Sequence, residues 1–299
     1  MNTQQANPWF PPIPQCPPGL SVPYYYASLS SFMLFFKVDV AAIAPNVKDT
    51  GLQPARFIWK RDNDGDKEHA LATVEFQNYS GHLGSMIGTV NEVEFNVVGY
   101  PASRESQAPI MSLEDYVQGD DSTKVLGGFR LHVPADNPFA VAAGQALYNE
   151  PKFQTTFNYK VPALNLPKQK TWHYICNDPR YSAPAPAPQN DRIFTVEADM
   201  RSFEPVPSNP SPLTLYSMFS QGRKKRLFGC IWNIFGAFQA YFPEPKAAQQ
   251  AIQLTVGHSP HVMAADMRRI LSEAPVVAAR IFQSAPYASA SGGFFVDVE

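Results

Sequence analysis

A mainly β fold with a few peripheral helices is predicted for this chain of 299 residues by three features of its sequence. Charged residues make up only 17%, aromatics reach 13%, and 29 prolines interrupt the chain, a balance that suits short bent strands better than long amphipathic helices. A hydrophobic content of 44% is enough to bury a large core at this length. Several segments alternate polar and apolar residues with period two, which marks strands with two different faces. No repeat or compositional break separates independent cores, so we expect a Pro-rich N-terminal arm over residues 1–22 and a single domain over 23–299.

Taken in order, the aromatic and β-branched run from Tyr24 to Ala44 predicts one or two strands ending in a short helical turn near Pro45. Arg56 to Lys60 and His69 to Gln77 flank Asp62-Asn63-Asp64-Gly65-Asp66, a hairpin signature. That acidic turn lacks the spacing and distal glutamate of a calcium loop, so it is expected to be solvated. Further strands are expected at Thr89 to Tyr100, Gly127 to Val133, Phe153 to Val161, Thr171 to Cys176 and Ile193 to Met200. Ser182 to Pro188 and Pro205 to Pro212 are proline-dense connections. Leu227 to Phe242 predicts buried strands behind the basic turn Arg223 to Arg226. Behind Ser259-Pro260, apolar residues from Met263 to Phe282 recur at three- and four-residue spacing and predict a long helix kinked at Pro275.

Several function classes lack support. Net charge is -2 with no extended basic face, so nucleic acid is not an expected partner. Cys16, Cys176 and Cys230 are widely spaced, which argues against a disulfide framework or thiolate zinc site and makes the cytoplasm the default location. His258 and His261 lack a third ligand and are expected to start a helix instead, so no metal is expected. There is no secretory h-region or membrane-spanning run, and no GxSxG, GxxxxGK[ST] or GxGxxG-helix motif.

The segment from Leu131 to Val161 carries the chemistry. Asn137 suits an N-cap and Pro138 the first helical position. The helix should run through Leu147, and Pro151 disfavours helical geometry at Glu150. Lys152 then opens an extended stretch in which Phe153, Thr155, Phe157, Tyr159 and Val161 alternate with polar residues, on whose face Lys152 lies. The pattern by itself is that of a solvated lysine.

In this segment the chain resembles the acetoacetate decarboxylase-like superfamily. His132, Asp136-Asn137, Gly144, Leu147 and Pro151-Lys152 match the family's active-site run in order and spacing. The resemblance extends weakly from about Tyr24 to about Phe282. It implies an antiparallel barrel-like sheet, a Schiff-base lysine at Lys152, an active-site glutamate at Glu92 and, after a short gap, a second acidic residue at Glu75. It places His132, Gln145, Leu29 and Phe153 at positions that meet substrate or flank the lysine. Gln145 stands where the family commonly has arginine, and on its own pattern it belongs to the helix surface. No external cofactor is implied, and homo-oligomers are the family's usual state.

A lysine with the ordinary pKa of about 10.4 is protonated at neutral pH and cannot attack a carbonyl, so its environment must supply the neutral amine. Two departures bear on this. Phe153 stands where family members often have a second lysine, which leaves burial as the expected lever. Leu29 stands where decarboxylases place the arginine that meets the substrate carboxylate, which counts against decarboxylation. The expected function is a lyase acting on a ketone, β-keto acid or related carbonyl compound, by decarboxylation or by aldol and dehydratase chemistry. The competing class is a non-catalytic β-barrel that binds a hydrophobic small molecule.

Overall fold

The computed structural model describes residues 18–61, 68–83, 86–163, 168–181, 187–221, 224–284, 287–290 and 292–297. Most of the Pro-rich arm, the acidic turn Asp62 to Asp66, most of the run Ser182 to Pro188, and Arg223 lie outside them. Among the described residues the strands form a 15-stranded mixed sheet and a separate 4-stranded antiparallel sheet.

Three long strands frame the large sheet. Tyr24–Val38 pairs antiparallel with Glu68–Leu83, which pairs antiparallel with Met86–Pro101. Their alternation buries both faces, with Phe32, Leu34 and Phe36 on one side of the first strand and Met33 and Phe35 on the other. Asp39 ends this strand and caps the helix Val40–Val47, its carboxylate accepting the Ala41 N–H at 2.9 Å. The expected strand-to-helix transition is thus met. The short strand Phe57–Ile58 pairs with Glu68–Leu83 through Phe57 and His69, as the hairpin signature required.

The mainly β expectation holds, but the antiparallel barrel-like sheet is corrected to a mixed one. Gly127–Ala135 pairs in parallel with Leu213–Gln221 and with Lys152–Gln154, and Phe57–Ile58 pairs in parallel with Met111–Ser112. The intervening helix Pro138–Tyr148 is the crossover that makes one of these parallel pairs accessible to a short chain segment.

Two further expectations are corrected. The predicted strand Phe153 to Val161 breaks after Gln154, because Thr155 turns inward: its N–H donates to Ala135 O at 3.0 Å and its hydroxyl to Asn177 O at 2.6 Å. Phe157–Lys160 then joins Thr171–Asn177 in the smaller sheet. The predicted terminal helix stops at Leu271, and the chain resumes as the strand Val276–Ser284, paired with Tyr24–Val38 and Phe238–Tyr241. Pro275 ends the helix. Beyond it, β-branched Val276, Val277 and Ile281 meet an available strand edge, and those hydrogen bonds override the helical period of the apolar residues.

The core lies between the sheets. Phe32 stacks on Trp172 and Phe76 on Tyr174, each pair with centroids 4.9 Å apart, while Met263 and Met267 of the helix Val262–Leu271 pack into the same cluster. His261 starts that helix, its Nδ1 accepting the Met263 N–H. No helix among the described residues is long and apolar enough to cross a membrane.

Candidate active site

Cross-strand register gathers the site's carboxylates. Gln77 stands opposite Glu92, and Glu75 opposite Glu94, so all four side chains share one face of the sheet. That face is buried: Glu75, Gln77, Glu92 and Glu94 are each exposed by 4% or less. The Tyr79 hydroxyl, two residues beyond Gln77, donates to Glu92 Oε2 at 2.8 Å.

The lysine arrives from the helix Pro138–Tyr148. Asn137 caps it through the Phe139 and Ala140 N–H groups. Asn149 closes it in a left-handed conformation (φ 47°), which asparagine tolerates better than most residues. Pro151 then forces extended backbone, Lys152 opens a strand opposite Val133, and its side chain runs back beneath the helix. Gly144 makes this path available. A Cβ there would stand 2.2 Å from Glu150 Oε2 and 2.5 Å from Lys152 Cδ.

Lys152 Nζ lies 2.9 Å from Glu92 and 2.9 Å from Glu150, with its side chain only 6% exposed. The other Glu150 oxygen meets Arg130 at 3.2 Å, and Arg130 also bonds Glu94 at 3.2 Å. The result is a buried chain Glu92, Lys152, Glu150, Arg130, Glu94. It borders a cavity of about 30 Å³ whose walls include Tyr24, Tyr26, Tyr148, Leu215, Cys230 and Trp232. That volume holds roughly one or two waters, and any larger molecule requires the walls to move.

The electrostatics revise the expected activation. Burial opposes the charge on Lys152, but Glu150 and Glu92 outweigh it and hold the group above its ordinary range, as an ammonium. Burial pushes Glu92 up to about 7, with Lys152 pulling it down and Glu150 and Glu94 pushing it up further. Burial also raises Glu150, but Lys152 and Arg130 together hold it below the usual carboxylate range. Burial is therefore not the lever that frees this amine. Glu92, 2.9 Å from the amine, is a proton acceptor poised near neutral pH.

Of the residues expected at the site, the structure brings together Lys152 and Glu92. Glu75 shares their face but accepts a hydrogen bond from Ser31 and lies near Arg280. Leu29 is buried in a cluster with Tyr79, Tyr148 and Trp232 and is not among the cavity-lining residues. Gln145 points to the surface and donates to the Lys152 carbonyl at 2.9 Å, in keeping with its helix-surface pattern. His132 is turned away, its Nε2 2.7 Å from Asp266, and Phe153 packs on His261 with centroids 4.4 Å apart. The sequence missed Glu150, Arg130 and Tyr79, and an aromatic cavity was expected without its residues being named. Glu150 had a signal, since an acidic residue two positions before the lysine across a rigid proline is bound to stay close to it. Among the described residues no cluster of His, Cys, Asp and Glu could hold a metal ion.

Comparison with solved structures shows the fold to be that of the acetoacetate decarboxylase-like enzymes. Acetoacetate decarboxylase from Legionella pneumophila superposes with a TM-score of 0.58 at 11% identity, covering 96% of this chain and 92% of that one. The enduracididine biosynthesis enzyme MppR, complexed with pyruvate, gives a TM-score of 0.60 at 12% identity, covering 95% and 91%. The same enzyme, complexed with the condensation product of pyruvate and imidazole 4-carboxaldehyde, gives 0.57 at 12% identity, again covering 95% and 91%. No protein-family model matches the chain, and no curated protein matches it in sequence.

Proposed function

We propose that this protein is a lyase that forms a Schiff base between Lys152 and a ketone, β-keto acid or related carbonyl compound, and that aldol or dehydration chemistry suits its site better than decarboxylation. One observation carries the proposal: a buried amine stands 2.9 Å from a glutamate that titrates near neutrality, at the edge of a cavity. Glu92 accepts a proton from Lys152, and the neutral amine adds to the carbonyl carbon. The same carboxylic acid returns the proton to the carbinolamine hydroxyl, which leaves as water, and the iminium remains. Ionised Glu92 then removes a proton from the carbon next to the iminium, and the electron pair moves into the C–C bond to give an enamine. Hydrolysis of the iminium after the bond-forming or bond-breaking step regenerates Lys152.

A buried substrate carboxylate needs a partner to enter the site, and decarboxylases of the resembled family supply an arginine for it. Leu29 offers none, and Arg130 is committed to Glu94 and Glu150. A second reading, ligand binding without catalysis, is favoured by the two-carboxylate clamp that holds Lys152 as an ammonium. Incubation with ketones, enals and β-keto acids under cyanoborohydride separates the two. A mass adduct on the Lys152 peptide supports the enzyme, and its absence with every carbonyl compound supports the binding protein.

A further inference from the structure

The donors in the cavity wall narrow the substrate class, an inference that rests on the Schiff-base reading. Tyr148 and Trp232 line the cavity, are 6% and 3% exposed, and have an Oη and an Nε1 with no hydrogen-bond partner among the described residues. Tyr24 Oη and Gln77 Nε2 lie on the same wall, close to Tyr79 and Glu75. Buried donors left unpaired are costly, and an indole N–H can only donate, so this wall calls for acceptor oxygens on the ligand.

Charge decides which oxygens. Both cations of the wall are already engaged, Arg130 by Glu94 and Glu150 and Lys152 by Glu92 and Glu150. A ligand carboxylate would add a further negative charge to a buried site with no cation left to receive it. We propose that the cavity, its walls moving apart to admit the molecule, takes an uncharged carbonyl compound bearing additional hydroxyl or carbonyl oxygens, which Tyr148 and Trp232 hold as donors while Lys152 attacks the carbonyl. This substrate has no carboxylate to lose: the enamine carbon bonds to a second carbonyl carbon, whose oxygen takes the proton held by Glu92 as its π bond breaks, and water hydrolyses the iminium that remains, while cleavage runs the same steps in reverse.

Cyanoborohydride trapping on Lys152 with three probes tests the proposal: dihydroxyacetone, acetone and pyruvate. We expect half-saturation with dihydroxyacetone at a concentration about 10-fold or more below that of the other two, each donor–oxygen bond contributing on the order of a factor of ten. In Trp232→Phe and Tyr148→Phe the dihydroxyacetone-to-acetone ratio should move toward one, a change that general loss of structure does not produce. A preference for pyruvate overturns the proposal and leaves the Schiff-base reading standing. If no probe labels Lys152, the Schiff-base reading fails, and calorimetry then decides: tighter binding of dihydroxyacetone than of pyruvate supports the donor wall, and the reverse overturns it.

Discussion

Glu150→Gln should make Lys152 more reactive as an amine. Glu150 stands 2.9 Å from Nζ and is buried, so at an effective dielectric constant of about 20 its charge favours the ammonium by about 6 kcal/mol. Glutamine keeps an oxygen that accepts the same hydrogen bond, and roughly half that energy, about 3 kcal/mol, should be lost with the charge. Removing a carboxylate beside a lysine lowers the lysine's pKa, and about 3 kcal/mol corresponds to a roughly 100-fold larger fraction of neutral amine at a given pH. Arg130 retains Glu94 and the pair stays closed. Reductive methylation of Lys152 by formaldehyde, a probe small enough for the cavity, can be followed by peptide mass spectrometry between about pH 6 and 9. The variant's labelling curve should sit about two pH units below that of the parent protein. Coincident curves would refute the claim that Glu150 clamps the lysine as an ammonium.

Gly144→Ala places a methyl group 2.2 Å from Glu150 and 2.5 Å from Lys152, so it should destabilise the fold by about 1–3 kcal/mol in denaturant unfolding and suppress Lys152 labelling. Burial and Glu94 raise Glu75 from 4.5 to about 7, so the folded state binds its proton more tightly than the unfolded state does. Stability should therefore fall as pH rises from 4.5 to 7, by about 3 kcal/mol from this group alone, and urea titrations should show that slope weakened in Glu75→Gln. Tyr79→Phe removes the hydroxyl that donates to Glu92 at 2.8 Å, which should move the Glu92 titration upward and shift the pH profile of Lys152 trapping to higher pH.

Much of the lysine's local setting was legible because it depends on neighbours in sequence. Asn137, Pro138 and Pro151 fix where the helix begins and where the chain turns extended, and the structure places both boundaries there. The burial of Lys152 was legible through the family resemblance and not from the residue pattern. Its alternating pattern with Gln154 and Thr156 is that of a solvated strand, whereas the strand ends at Gln154 and the lysine is covered by the helix that precedes it. The carboxylate chain was partly hidden for a different reason. Glu94 and Arg130 meet through the pairing of Met86–Pro101 with Gly127–Ala135, a long-range register that the residues of either strand do not specify alone. The segment after Leu271 failed as a helix because Val276 to Ile281 satisfy a helical and a strand period at once, and the open edge of Tyr24–Val38 decided between them.

Oxygen-18 exchange tests the iminium most directly, since it needs neither a reductant nor a completed reaction. Each round of Schiff-base formation and hydrolysis at Lys152 replaces a ketone's carbonyl oxygen with one from solvent. In labelled water the protein should wash label into dihydroxyacetone faster than buffer does, and Lys152→Met should abolish the excess. Equal exchange by the parent protein and the variant would contradict covalent chemistry at this lysine.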